Sequence, residues 1–268
     1  MKIVGAVVLL LNLGLSLAVG AKLLRLSLAP DRTPERCLAI YFLLGVFLGG
    51  GFIIAAYAGW SDPALGMPLS WVPGLHVAGT VGVFSGALAI YVFTWRTFRR
   101  ESRFAAAVVA LATVVLLGGF AGRCLGEGFA ISTDPGVSYW TMYWVRIASL
   151  VWVAGESIAY AARMRRRLKL GLVDPMVADR FLLWSVWASA SLLAALSEVI
   201  ARVVFHWMGG ESVAAADGAR GLAAPIIVVS LTITSTAGMM SATTLFLTFF
   251  PTPAYRRWVD RRAGALAG

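Results

Sequence analysis

Four side chains carry charge where the surrounding residues are almost wholly apolar: Arg146, Glu156, Glu198 and Arg202. An ionised group inside a bilayer costs about 2.5–3.5 kcal/mol on insertion scales, so such residues turn inward, pair, and mark function. Arg146 and Glu198 lie on consecutive apolar stretches, each roughly 10–14 Å below the same membrane boundary at about 1.5 Å per helical residue. They meet if those two helices pack side by side. Glu198, Arg202 and His206 recur every four residues and form a polar stripe rising to the outer surface. The chemistry this arrangement offers is capture of an anionic or zwitterionic ligand in an outward-facing pocket, with Arg146 and Arg202 as donors. The plainer alternative is a salt bridge locking two neighbouring helices.

Glu156 stands apart. It follows Arg146 by ten residues, which places it about 15 Å deeper and turned by about 80° on a helix, so the two cannot pair. With no basic partner in the same helix, its carboxyl is expected to be protonated by desolvation, bonded to Tyr160 one turn below or approached by Arg163. It is the candidate proton-coupling group, with a neutral structural carboxyl as the alternative. His76 and His206 are the only histidines, too few for bis-histidine haem or a zinc peptidase motif. No metal or cofactor is therefore expected. Cys37 and Cys124 fall at opposite membrane boundaries, so no intramolecular disulfide joins them.

The elements that position these groups follow from composition. The 268 residues are 59% hydrophobic and 13% charged, with a mean hydropathy of +0.81. Soluble domains run nearer 45–50% apolar and about 25% charged, which excludes a soluble domain. Seven stretches match the roughly 20 residues needed to cross a hydrocarbon core: residues 3–21, 37–58, 72–94, 104–121, 139–162, 181–207 and 221–250. The expectation is an all-α integral membrane protein, one bundle of seven transmembrane helices over residues 1–268, with 251–268 as a short basic tail. Gly45 and Gly49, then Ala78, Gly82 and Gly86, then Gly118 and Gly122 form small faces at four-residue spacing, as tight helix contacts in lipid require. Ser230, Thr234, Ala237, Ser241, Thr244 and Thr248 make a seam on the last span, read as a helix contact or else a polar pathway. Tryptophans mark the boundaries: Trp60, Trp71, Trp140, Trp144 and Trp207 outside, and Trp95, Trp184, Trp187 and Trp258 inside.

Charge sets the orientation. Eighteen Lys and Arg residues fall on the loops of one side, against Lys2, Arg123 and Arg220 on the other, and basic loops are retained in the cytoplasm. The N-terminus is thus expected outside and the C-terminus inside. Reading the first span as a cleaved secretory signal would strand all eighteen on the wrong side, so it is rejected. The net charge of +10 is a topology signal and not a nucleic-acid footprint, and the basic loops should favour anionic lipid headgroups.

The order Cys124, Arg146, His206 on the outer side resembles that of exosortase-type membrane transpeptidases, with other spacings and without that family's motif around the cysteine. It implies a membrane enzyme as a third reading. Seven spans with an external N-terminus also resemble the layout of microbial rhodopsins. Covalent retinal needs a lysine in the last helix, and Lys2, Lys22 and Lys169 all lie outside the bundle. The segments Thr94-Trp95-Arg96-Thr97-Phe98-Arg99 and Arg163-Met164-Arg165-Arg166-Arg167-Leu168-Lys169-Leu170-Gly171-Leu172-Val173-Asp174-Pro175 resemble stand-alone bacterial seven-transmembrane sensor or receptor-like proteins. That resemblance implies a multi-pass inner-membrane sensor. Its output would pass to a separate cytoplasmic partner at Arg163 to Arg180, because 18 residues follow Phe250. A small-solute or proton-coupled transporter is the alternative, although the inverted repeat usual in transporters is not evident.

Overall fold

The computed structural model describes the backbone of residues 2–29, 32–61, 66–129, 131, 136–207 and 220–267. It describes their side chains except for 2–6, 8, 61, 201–202, 204–207, 220–228, 231 and 263–267. Every regular element among them is helical. Helix α1 spans Lys2–Leu26. The second apolar stretch is one rod in which α2 (Thr33–Ile40) passes through a π-helical segment (Tyr41–Gly50) into α3 (Gly51–Ser61). Then follow α4 (Trp71–Phe98), α5 (Arg103–Gly122) with a π-helical turn at Arg123–Glu127, α6 (Val137–Lys169), α7 (Pro175–Trp207), α8 (Arg220–Phe249) and α9 (Pro253–Ala267). Among the described residues, six rods are long and apolar enough to cross a membrane, and the bent pair Thr232–Phe249 with Pro253–Arg262 brings the number to as many as seven.

The helices overrun the apolar stretches at the basic end, where local chemistry sets the boundaries. Pro34, Pro175 and Pro253 stand in the first turns of α2, α7 and α9, where a missing N–H costs nothing. Ser102, Asp174 and Thr252 accept hydrogen bonds from the first-turn amides of α5, α7 and α9. Helix α6 stops where Gly171 takes a positive φ of 68° and Leu172 N donates back to Arg167 O at 3.0 Å. The tail expected after residue 250 is a helix. Pro251 and Pro253 interrupt the ladder, and the rod turns by 89°.

Six rods close a ring: α8 packs on α1 and α7, α1 on the α2–α3 rod, that rod on α4, α4 on α6, and α6 on α7. Helix α5 lies outside, against α4 and α6. Toward the basic end the ring is solid, because one core cluster draws Val19, Phe42, Ile90, Val153, Trp187 and Leu245 from all six rods. Trp187, expected at the boundary, is the 2%-exposed centre of that core. Lys22 Nζ seals the ring with a 2.6 Å bond to Phe249 O at the end of α8, the favourable place for a cation.

Small residues set the closest approaches. A Cβ added at Gly86 would lie 2.7 Å from Gly45 Cα, and one at Gly82 2.7 Å from Gly49 Cα, so the paired glycine faces of the second and third spans are in contact. On α5 the working pair is Gly119 with Gly122, against Met142 and Ser138; Gly118 faces open space, which corrects the expected register. The seam of α8 is a helix contact. Ser230 Oγ donates to Ser197 O at 2.7 Å, and the Ser197 and Thr234 hydroxyls meet at 2.5 Å.

Candidate functional site

Tyr139, Tyr143 and Arg146 recur at helical spacing and share the face of α6 that meets α7. The two tyrosine rings stack at 5.8 Å, and the Arg146 guanidinium sits 5.4 Å from the Tyr143 ring. From α7, Glu198 reaches across. Its Oε2 accepts the Tyr143 hydroxyl at 2.8 Å and stands 3.8 Å from Arg146 Nη1. The structure thus brings Arg146 and Glu198 together, as side-by-side packing of their helices requires. Ala195 O lies 3.2 Å from the same hydroxyl and shares its one proton, which fixes the ring across the helix pair. Tyr143 is absent from the residues singled out by sequence, although its place one turn before Arg146 is a usable signal.

Beneath this group lies the solid core. There Tyr41 stands edge-on to Trp187 at 5.6 Å. Among the described residues, the core cluster at the level of Arg146 and Glu198 is shared by α6 and α7. The Arg146 and Glu198 side chains keep 31% and 37% of their surface accessible, although both lie within helices long enough to span a membrane. A guanidinium carries five N–H donors. Among the described residues Arg146 has this one ion pair, at 3.8 Å, and no hydrogen bond from its guanidinium. Donors remain for a further acceptor. The side chains of Arg202 and His206, the other two candidates of the stripe, lie outside the described residues.

Glu156 has the basic partner that sequence did not assign. Arg99 Nε, beyond the end of α4, donates to Glu156 Oε1 at 2.7 Å, and Arg163 is turned instead onto the Tyr160 ring. This corrects the expected unpaired carboxyl. Glu156 lies about 28 Å along α6 from Val137, which is close to a full hydrocarbon thickness. The pair is therefore interfacial: Glu156 is largely covered while Arg99 remains 56% exposed.

A second polar centre occupies the other end of the bundle. Arg123 is 1% exposed and is held by a 3.0 Å bond from its Nε to Gly128 O and by the faces of Phe129 and Tyr139 at 4.7 and 5.4 Å. Gly128, at φ 70°, turns the chain back so that its carbonyl meets that side chain. His76 Nδ1 donates to Phe129 O at 2.8 Å, which ties the same turn to α4. The Nη1 of Arg123 has no partner among the described residues. Sequence placed Arg123 in a loop, and only its neighbouring aromatics hint at burial. Cys124, next in the chain, is exposed, and its neighbour Arg123 packs on Tyr139, seven residues or about 10 Å along α6 from Arg146.

No family model matches the chain, and neither curated protein sequences nor solved structures give a significant match.

Proposed function

We propose that this chain is a seven-span receptor or sensor-like module of a bacterial inner membrane, with its N-terminus outside and its C-terminus in the cytoplasm. It binds a small anionic or zwitterionic ligand at Arg146, Tyr143 and Glu198, with Arg202 and His206 continuing the site outward. A cytoplasmic partner docking on Arg163 to Arg180 receives the signal. The observation that carries this reading is the state of Arg146: a guanidinium inside the bundle, held among the described residues by one ion pair at 3.8 Å and the Tyr143 ring and about a third accessible, has donors for a ligand that a locked helix-to-helix bridge would have used. The closed hydroxyl contact between α7 and α8 weighs against a solute path along that seam. In the transporter alternative Glu156, paired with Arg99, is the candidate proton-coupling group.

Two measurements test the proposal. The chain has two cysteines, Cys124 exposed and Cys37 buried, so a membrane-impermeant maleimide added to intact cells reports orientation in the native sequence. Labelling of Cys124 is expected, and protection until lysis reverses the topology. A thermal-shift screen of amino acids and small carboxylates on the purified protein, with Arg146→Gln as control, then addresses the site. Stabilisation lost in the variant without counterflow in proteoliposomes supports a receptor, whereas counterflow abolished by Glu156→Gln establishes a transporter.

A further inference from the structure

At the basic end, α6 finishes in Arg165, Arg166 and Lys169, α7 begins beside them, and α9 folds across both. Between the three helices is a cavity of about 320 Å³. The three cations of α6 and Arg262 of α9 line one part of it, and Leu182 and Val259 are among the apolar groups lining the rest. Its one carboxylate, Asp179, accepts a hydrogen bond from the Tyr255 hydroxyl of α9, a clasp that holds the terminal helix over the cavity. Among the described residues none of the four cations makes an ion pair. Four positive charges around one half-open cavity repel one another and call for an anion.

Helix α9 carries the second half of the argument. Tyr255, Trp258, Val259 and Arg262 recur at helical spacing on one face; Val259 is buried, and the Tyr255 and Trp258 rings stack at 5.7 Å. Arg256, Arg257 and Arg261 cover the other side. A short basic helix with an aromatic edge, turned 89° from the last span, has the form of a helix lying in the headgroup layer.

We propose that this cavity is a binding site for a phosphate-bearing anionic lipid, with the headgroup phosphate taken by Arg165, Arg166, Lys169 and Arg262 and the upper acyl chain lying along Leu182 and Val259. The volume equals that of about ten water molecules, room for a phosphoglycerol headgroup. A free phosphate ester offers the same anion, but it would leave the apolar lining of Leu182 and Val259 unused. The proposal goes beyond the receptor reading and uses the orientation only to say which leaflet supplies the lipid.

The test is binding of dioleoyl phosphatidylglycerol to the full chain in dodecyl maltoside, followed by native mass spectrometry. Dioleoyl phosphatidylcholine, glycerol 1-phosphate and inorganic phosphate serve as the other ligands. Each cation beside an anionic headgroup accounts for about a fivefold change in affinity, so Arg165→Gln with Lys169→Gln and Arg262→Gln should weaken phosphatidylglycerol roughly a hundredfold. Arg262→Gln alone, on the terminal helix, should cost about fivefold, and it serves if the triple variant misfolds. The control removes equal charge from the same end at Arg25, Arg100 and Arg103 and should leave binding within about twofold. Equal losses in control and test variants, or no binding of phosphatidylglycerol, overturn the site. Glycerol 1-phosphate or inorganic phosphate binding as tightly as the lipid overturns the lipid as its occupant. Detergent removes the leaflets, so this result does not depend on Cys124 labelling or on ligands at Arg146.

Discussion

Neutralising Arg146 and Glu198, singly and together, measures whether they hold each other in the bilayer. Two unit charges at 3.8 Å attract by about 4 kcal/mol at an effective dielectric constant near 20. About a third of each side chain is accessible, and screening there reduces the attraction to roughly half, so we expect a coupling energy of about 2 kcal/mol. That is well above the ~0.6 kcal/mol average for interhelical hydrogen bonds in membrane proteins. Glu198→Gln alone should be the costliest of the three variants, since it leaves a guanidinium unpaired in a low dielectric while the Gln oxygen still accepts from Tyr143. The double variant should recover part of that loss. Equilibrium unfolding in mixed dodecyl maltoside and dodecyl sulfate micelles, followed by tryptophan fluorescence, gives the four free energies. A coupling below about 0.5 kcal/mol refutes the pairing, and with it the geometry from which the ligand site is argued.

Two further perturbations probe the frame around the site. Gly86→Ala places a methyl 2.7 Å from Gly45 Cα and should destabilise by about 1–3 kcal/mol, whereas Gly118→Ala meets nothing within 4 Å and should gain about 0.5–1 kcal/mol of helix stability; equal effects in the same unfolding assay would contradict the close approach of the two rods. Burial and the bond to Asp179 push the Tyr255 hydroxyl above its ordinary value of 10.0, so the clasp is fully present below that pH and is lost only as pH climbs through the raised value. Limited proteolysis should therefore cut α9 slowly up to about pH 10 and faster above it, and Tyr255→Phe should cut fast throughout; an unchanged rate in Tyr255→Phe would show that the bond does not hold α9.

Several of these features were legible in the chain itself, each for a separate reason. The Arg146 to Glu198 contact followed from equal depth, because axial position on a helix is a matter of counting residues. The glycine faces of the second and third spans followed from four-residue spacing. Glu156 was misjudged because its partner Arg99 lies 57 residues away in the chain, in a loop whose path no local pattern describes. Gly118 was preferred over Gly119 for a different reason: in α5 nearly every residue is apolar, so no polar side marks which face turns inward. Arg123 was missed for a related reason. A loop arginine is ordinarily solvated, and only the turn at Gly128 and the rings of Phe129 and Tyr139 bury this one.

Hydropathy and charge, read along the chain, determined that this is a helical membrane-type protein and how far along its helix each ionisable group sits, because transfer free energy and helical rise are properties of local sequence. Rotation of each helix about its axis, and the choice of neighbours, were decided only in the assembled bundle. Lipid is as apolar as the core, so the hydrophobic effect does not choose between faces, and close packing and polar pairing across helices make that choice. For the same reason the cradle of Arg123, the partner of Glu156 and the cavity beneath α9 exist only in the tertiary structure.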